Sequence, residues 1–223
     1  VLVAVVLAAC TTTNPQTMTG ATPPAAARIL IVEPDVQLSI LNASGLQEPR
    51  ADWSEAARTG LAEAFATNLR TQGHTPAAFS AVNNMDGRVG QIIRLHEAVA
   101  FSIFFNTYAP GGKLPTKASG FDWTLGEGAA AIAAASGTEA DYALFTVVRG
   151  SYSSGGRMAM VLVGAALGAA VPMGGQQMYT SLVDLRTGQV IWFNFASAGS
   201  GVDMREAAVA QTLVEQLLRS APL

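Results

Sequence analysis

Few side chains in this sequence could carry out chemistry, and their spacing limits what that chemistry is. His74 and His96 are the only histidines and Cys10 the only cysteine. Zinc needs three or four convergent ligands, and no H-E-x-x-H or paired-cysteine spacing occurs, so no metal site is expected. His96 and Glu97 are adjacent on a predicted helix, where such a pair is read as solvated. Glu33 and Asp35 flank Pro34 at a strand end. Two carboxylates so placed could serve as acid and base in glycoside hydrolysis, although acidic strand ends also serve solubility alone. The serines at 151, 153, 154, 197 and 200 lie in Gly-rich turns without the G-x-S-x-G elbow that activates a nucleophile. Gly155, Gly156 and Arg157 lack the phosphate-cradling patterns G-x-G-x-x-G or G-K-[ST]. No catalytic residue and no cofactor is assigned on this reading.

That leaves the thiol. A single cysteine excludes an intrachain disulfide and invites covalent modification instead. Residues 1–9 (VLVAVVLAA) form an uncharged apolar stretch, too short to span a bilayer as a helix. Leu7-Ala8-Ala9-Cys10 resembles the lipobox of bacterial lipoproteins. The resemblance implies diacylglyceryl transfer to the Cys10 thiol, cleavage between Ala9 and Cys10, and acylation of the new amino terminus. Thr11 in the following position, where aspartate is absent, implies the outer membrane rather than the inner one. Residues 11–27 (TTTNPQTMTGATPPAAA) carry no charge and no periodicity, so they read as a flexible spacer. The expected organisation is a partial signal peptide over 1–9, a lipidated cysteine and tether over 10–27, and one periplasmic domain over 28–223.

Composition agrees with one well-filled domain. Half the chain is hydrophobic, 13% is charged, and the net charge is −3. Nothing in that balance points to nucleic acid or to a charged membrane surface.

The elements that would position any site follow from periodicity. Residues 28–32 (RILIV) read as a buried strand and 37–41 as a half-exposed one. Trp53, Ala57, Leu61, Phe65 and Leu69 make one apolar helical stripe, with Asp52 as N-cap and Gly73 as stop. A short strand is expected at 75–79, a helix over 83–108, a loop at 109–120 and an Ala-rich helix at 125–135 ended by Gly137. Phe121 and Trp123 either close the core beneath that loop or form an exposed contact patch. A buried strand is expected at 142–148. Residues 179–185 and 189–195 flank Arg186-Thr187-Gly188 as a hairpin. A final helix is expected to open on Asp203-Met204-Arg205-Glu206 as a capping box. The order predicts the α/β (α+β) class: one mixed sheet flanked by helices.

The hairpin, from Leu182 through Asp184, Thr187 and Gly188 to Trp192, follows a D-x-x-T-G-x-[VI]-x-W pattern. With the lipobox and the opening strand and long helix, it resembles the CsgG/LpoB/TolB-N-terminal group of periplasmic domains, and most nearly the GNA1162-like proteobacterial lipoproteins. Members of that group secrete fibres, activate cell-wall synthases or scaffold envelope machines, so the resemblance implies protein partners but no single task.

Residues 158–173 are almost entirely apolar, and Gly164 and Gly168 are spaced to share one side of a helix. This candidate interaction strip must be covered by the domain's own sheet, by another copy or by membrane, the sheet being the favoured cover. The expected function is a membrane-anchored, periplasm-facing binding or assembly module of transport, secretion or cell-wall machinery, capable of homo-oligomerisation. The alternative is an envelope hydrolase, which a Ser–His contact or convergent carboxylates in a cleft would mark.

Overall fold

A computed structural model describes residues 12–13, 15–109, 114–199 and 201–223. In chain order the strands are β1 (Thr12–Thr13), β2 (Gln16–Thr17), β3 (Arg28–Val32), β4 (Asp35–Leu41), β5 (Gln47–Pro49), β6 (Thr75–Phe79), β7 (Trp123–Thr124), β8 (Tyr142–Ser153), β9 (Gly175–Asp184) and β10 (Gln189–Gly199). The helices are α1 (Ala51–Thr71), α2 (Arg88–Thr107), α3 (Ala130–Ser136), α4 (Gly155–Ala166) and α5 (Ala207–Leu218).

All ten strands join one mixed sheet. Its central strand, β8, is served on one side by two strands in succession. β3 pairs with it in parallel over Tyr142–Leu144, and β4 does so from Val147 to Ser153. Pro34 lies at the break between them, where it has no N–H to give to a ladder. β6 extends the sheet in parallel beyond β3, and β5 extends it antiparallel beyond β4. On the other side β9 and β10 follow antiparallel.

Side chains alternate between two cores. Ile29, Ile31, Leu144 and Trp192 face α1 and α5, whereas Leu30, Val32, Phe145 and Phe193 face α2 and α3. Burial on both faces explains why β8 reads as a continuous apolar run. The expected class, one mixed sheet covered by helices, is the observed one. The stripe of α1 is buried at Ala57, Leu61, Phe65 and Leu69. Trp123 and Phe121 pack partly buried on the α2/α3 core, with the Lys117 ammonium 4.9 Å from the Trp123 ring.

Three local expectations are corrected. The cap position of α1 is Arg50, and Asp52 lies in the first turn, paired to the Arg50 guanidinium. Asp203 does not cap α5, which starts at Ala207; its carboxylate takes the Arg205 backbone and guanidinium N–H groups instead. His96 is not solvated: it is 2% exposed, on the face of α2 turned to the sheet.

The stretch assigned to a spacer also carries structure. β1 and β2 run antiparallel along the outer edge of β10, with Thr12 opposite Ser197 and Gln16 opposite Phe193. The Met18 N–H continues the ladder to the Ile191 carbonyl at 2.9 Å. An edge strand left bare invites pairing with foreign chains, and this segment covers it.

Candidate functional site

The excursion between β8 and β9 is built around α4. Ser154 caps the helix, its hydroxyl accepting the Arg157 N–H at 3.1 Å. The Arg157 guanidinium donates from Nε and Nη2 to the Pro172 carbonyl at 3.0 and 2.8 Å, closing the base of the excursion. The Gly174 N–H donates to Ser153 Oγ at 3.0 Å beside it.

The two glycines of the expected strip have different tasks. Gly164 is buried, and a Cβ there would stand 2.5 Å from Val171 Cγ2, so its bareness lets the returning chain pack on the helix. Gly168 lies beyond the helix end with φ +74, and a Cβ there would meet open space. The pair therefore does not form one helix face, because α4 stops at Ala166 and the chain turns left-handed two residues later.

The strip itself is not covered by the sheet. Met158, Met160, Leu162, Val163, Leu167 and Met173 are all exposed, Leu162 at 70% and Leu167 at 80%. Leu46, in the turn between β4 and β5, is 67% exposed. That turn abuts the base of α4: a Cβ on Gly45 would stand 3.4 Å from the Arg157 guanidinium, and one on Gly156 would stand 3.2 Å from Ala43 Cβ. Of the twelve large apolar side chains exposed among the described residues, these seven gather at one end of the sheet.

The candidates for catalysis are differently placed. His96 Nε2 does approach a serine hydroxyl, Ser181 Oγ, at 2.9 Å. Both residues are sealed in the α2-side core, at 2% and 0% exposure, and burial holds the imidazole pKa down at about 3. A dyad that no substrate can reach performs no acyl transfer. It is a hydrogen-bonded core pair. Asp35 and Glu97 meet on one cation, with Arg149 Nη2 at 2.6 and 2.5 Å from their carboxylates. Glu33 is turned to Arg58 at 3.6 Å. A shallow pocket of about 300 Å³ opens on Glu33, Asp35, Arg58, Arg94 and Glu97. Each of these three carboxylates is paired with an arginine, Asp35 and Glu97 with the same one, which suits structure better than proton transfer. Among the serines, Ser153 and Ser154 serve the backbone of the excursion, and Ser200 lies outside the described residues. His74 is buried on the other side of the sheet, its Nδ1 without a partner among the described residues. No group of three His, Cys, Asp or Glu side chains placed to hold a metal ion occurs among the described residues. No described helix is long and apolar enough to cross a membrane. Ala9 and Cys10, the expected cleavage and lipidation residues, lie outside the described residues.

A signal for the exposed end was legible as the apolar run at 158–173. The part played by Leu46 had none, since it depends on strand pairing across more than a hundred residues.

No protein-family profile matches the chain, and no curated protein sequence does so. Among solved structures it is similar to a PelC dodecamer from Paraburkholderia phytofirmans, at 14% identity over 96% of each chain and a TM-score of 0.41. It is similar also to a variant of that dodecamer, at 17% identity over 96% of this chain and 98% of the other, with a TM-score of 0.42. Superposition at that level fixes no common task.

Proposed function

We propose that the chain is a lipoprotein anchored through Cys10, facing the periplasm from the outer membrane, and that it works without catalysis as a binding or assembly module of an envelope complex. The reading assigns 1–9 to a signal peptide, 10–27 to the lipidated cysteine and its tether, and 28–223 to the module. One observation carries it: a domain with two complete cores leaves a single end clad in seven large apolar side chains. Soluble monomers seldom display such a patch to water, so the domain is built to have that end covered. Copies of the chain can associate through its remaining surfaces, where Leu95 and Phe105 of α2 are also exposed.

The test is a photo-activated cross-linker placed at Leu162 in intact cells, with a second at Thr71 as control. Adducts at Leu162 and none at Thr71 are expected, together with a detergent-extracted particle larger than one chain. Water-quenched label at both positions and a monomeric particle would overturn the reading.

A further inference from the structure

We infer that the occupant of the exposed apolar end is the lipid surface itself, so that α4 and Leu46 form a second, non-covalent membrane contact beside the acyl chains. The inference rests on the reading that Cys10 carries lipid. The register supplies the geometry. β1 runs antiparallel to β10, and Thr12 stands opposite Ser197, near the point where β10 ends at Gly199 and β9 begins at Gly175. β1 therefore begins at the end of the sheet where α4 stands. Two residues reach at most about 7 Å, so a lipid carried two residues before Thr12 would be delivered at this same end. Pairing of Thr12–Thr13 and Gln16–Thr17 with β10 shortens the spacer that would let the domain swing free of its anchor.

The chemistry of the end matches a bilayer better than a protein face. From Met158 to Gly175 there is no charged residue. The last charge before it, Arg157, is committed to the Pro172 carbonyl at the base. On a helix of 3.6 residues per turn, Met158, Met160, Leu162 and Val163 fan over roughly 200°. Gly164 and the returning chain take the remaining side. A helix packed on one protein face shows an apolar stripe of roughly 100°, and one apolar over a much wider arc is buried in a large core or in a membrane.

The depth is bounded as well. Twelve residues of helix measure about 18 Å, against a hydrocarbon core of about 30 Å. The return from Leu167 to Gly174 has backbone groups outside any ladder, and hydrocarbon does not tolerate those. The excursion therefore lies at the level of the headgroups and upper acyl chains and does not span.

The test uses the full chain with Cys10→Ser, which frees the protein from its anchor, and Leu162→Cys as the one thiol, labelled with an environment-sensitive fluorophore. Vesicles of phosphatidylethanolamine and phosphatidylglycerol are the probe. The label is expected to shift blue on mixing and to be quenched more by lipids brominated near the carbonyl end than by lipids brominated near the terminal methyl. Met160→Glu with Val163→Glu should weaken partitioning at least tenfold with an unchanged circular dichroism spectrum, and a label at Leu167→Cys should report the same. No shift from the folded chain at millimolar lipid would overturn the inference. So would a shift that follows protein concentration without lipid, since the occupant would then be a second copy. Protection of the label in native envelopes but not on vesicles would overturn it in favour of a protein partner. Palmitate labelling of the unaltered chain tests the anchor separately: its absence sinks the lipidation reading, whatever the vesicles report.

Discussion

His96 Nε2 lies 2.9 Å from the hydroxyl oxygen of Ser181, and the imidazole stacks on Phe145 with ring centroids 4.6 Å apart. Residues 85 positions apart in the chain thus share one bond inside the core between α2 and the sheet. Desolvation holds the folded-state pKa at about 3, far below the ordinary value of 6.5. The unfolded chain therefore takes up a proton that the folded one refuses. Stability from this group is complete above pH 6.5 and is lost as pH falls toward about 3, at on the order of 1.4 kcal/mol per pH unit. Denaturant titrations between pH 7 and 4.5 should show wild type losing stability more steeply than His96→Phe by about that slope. Equal slopes would mean that the imidazole meets solvent.

Gly188 closes the β9–β10 turn at φ +74, and its N–H donates to the Asp184 carbonyl at 2.8 Å. A Cβ there would also collide with the carbonyl of Gly126. Gly188→Val combines backbone strain with that clash, so a loss of about 2–4 kcal/mol is expected. The denaturation midpoint of the purified chain reads it, and an unchanged midpoint would show that the turn relaxes freely.

The α4 excursion should behave as a unit apart from the sheet. Gly168→Ala forces a side chain into left-handed backbone at a cost of about 1 kcal/mol, but into open space. Gly164→Ala drives Val171 off the helix. Both variants should accelerate amide exchange across 155–174 while leaving protection in β8 and β9 unchanged, because local opening there does not require the cores to open. Loss of protection in the strands would show that α4 supports the sheet.

Replacement of Cys10 by serine should abolish palmitate incorporation and move the protein from the membrane to the soluble envelope fraction, since only a thiol accepts the diacylglyceryl group. The apolar end alone should retain a minor fraction at most, because a single interfacial contact binds reversibly where three acyl chains do not. Full retention of the serine variant on membranes would locate the anchor elsewhere.

By itself the sequence determined what is local. The four-residue recurrence of Ala57, Leu61, Phe65 and Leu69 specifies an amphipathic helix wherever it lands, because neighbours in the stripe are neighbours in the chain. The turn at Asp184 to Gly188 is equally local: the Asp184 carboxylate takes the Arg186 and Thr187 N–H groups, and glycine supplies the positive φ. The lack of charge from 158 to 175 was also plain. What covers that run was not. Spacing alone put Gly164 and Gly168 on one helix face, and only the returning chain, packed on Gly164, shows that the helix has ended before Gly168. The edge pairing of Thr12–Thr13 and Gln16–Thr17, the burial of His96 on Ser181 and the meeting of the turn at Ala43 and Gly45 with the start of α4 belong to the tertiary structure. Each depends on register between distant strands. Register is set by the sum of weak cross-strand contacts over a whole sheet, and no short window of residues contains that sum.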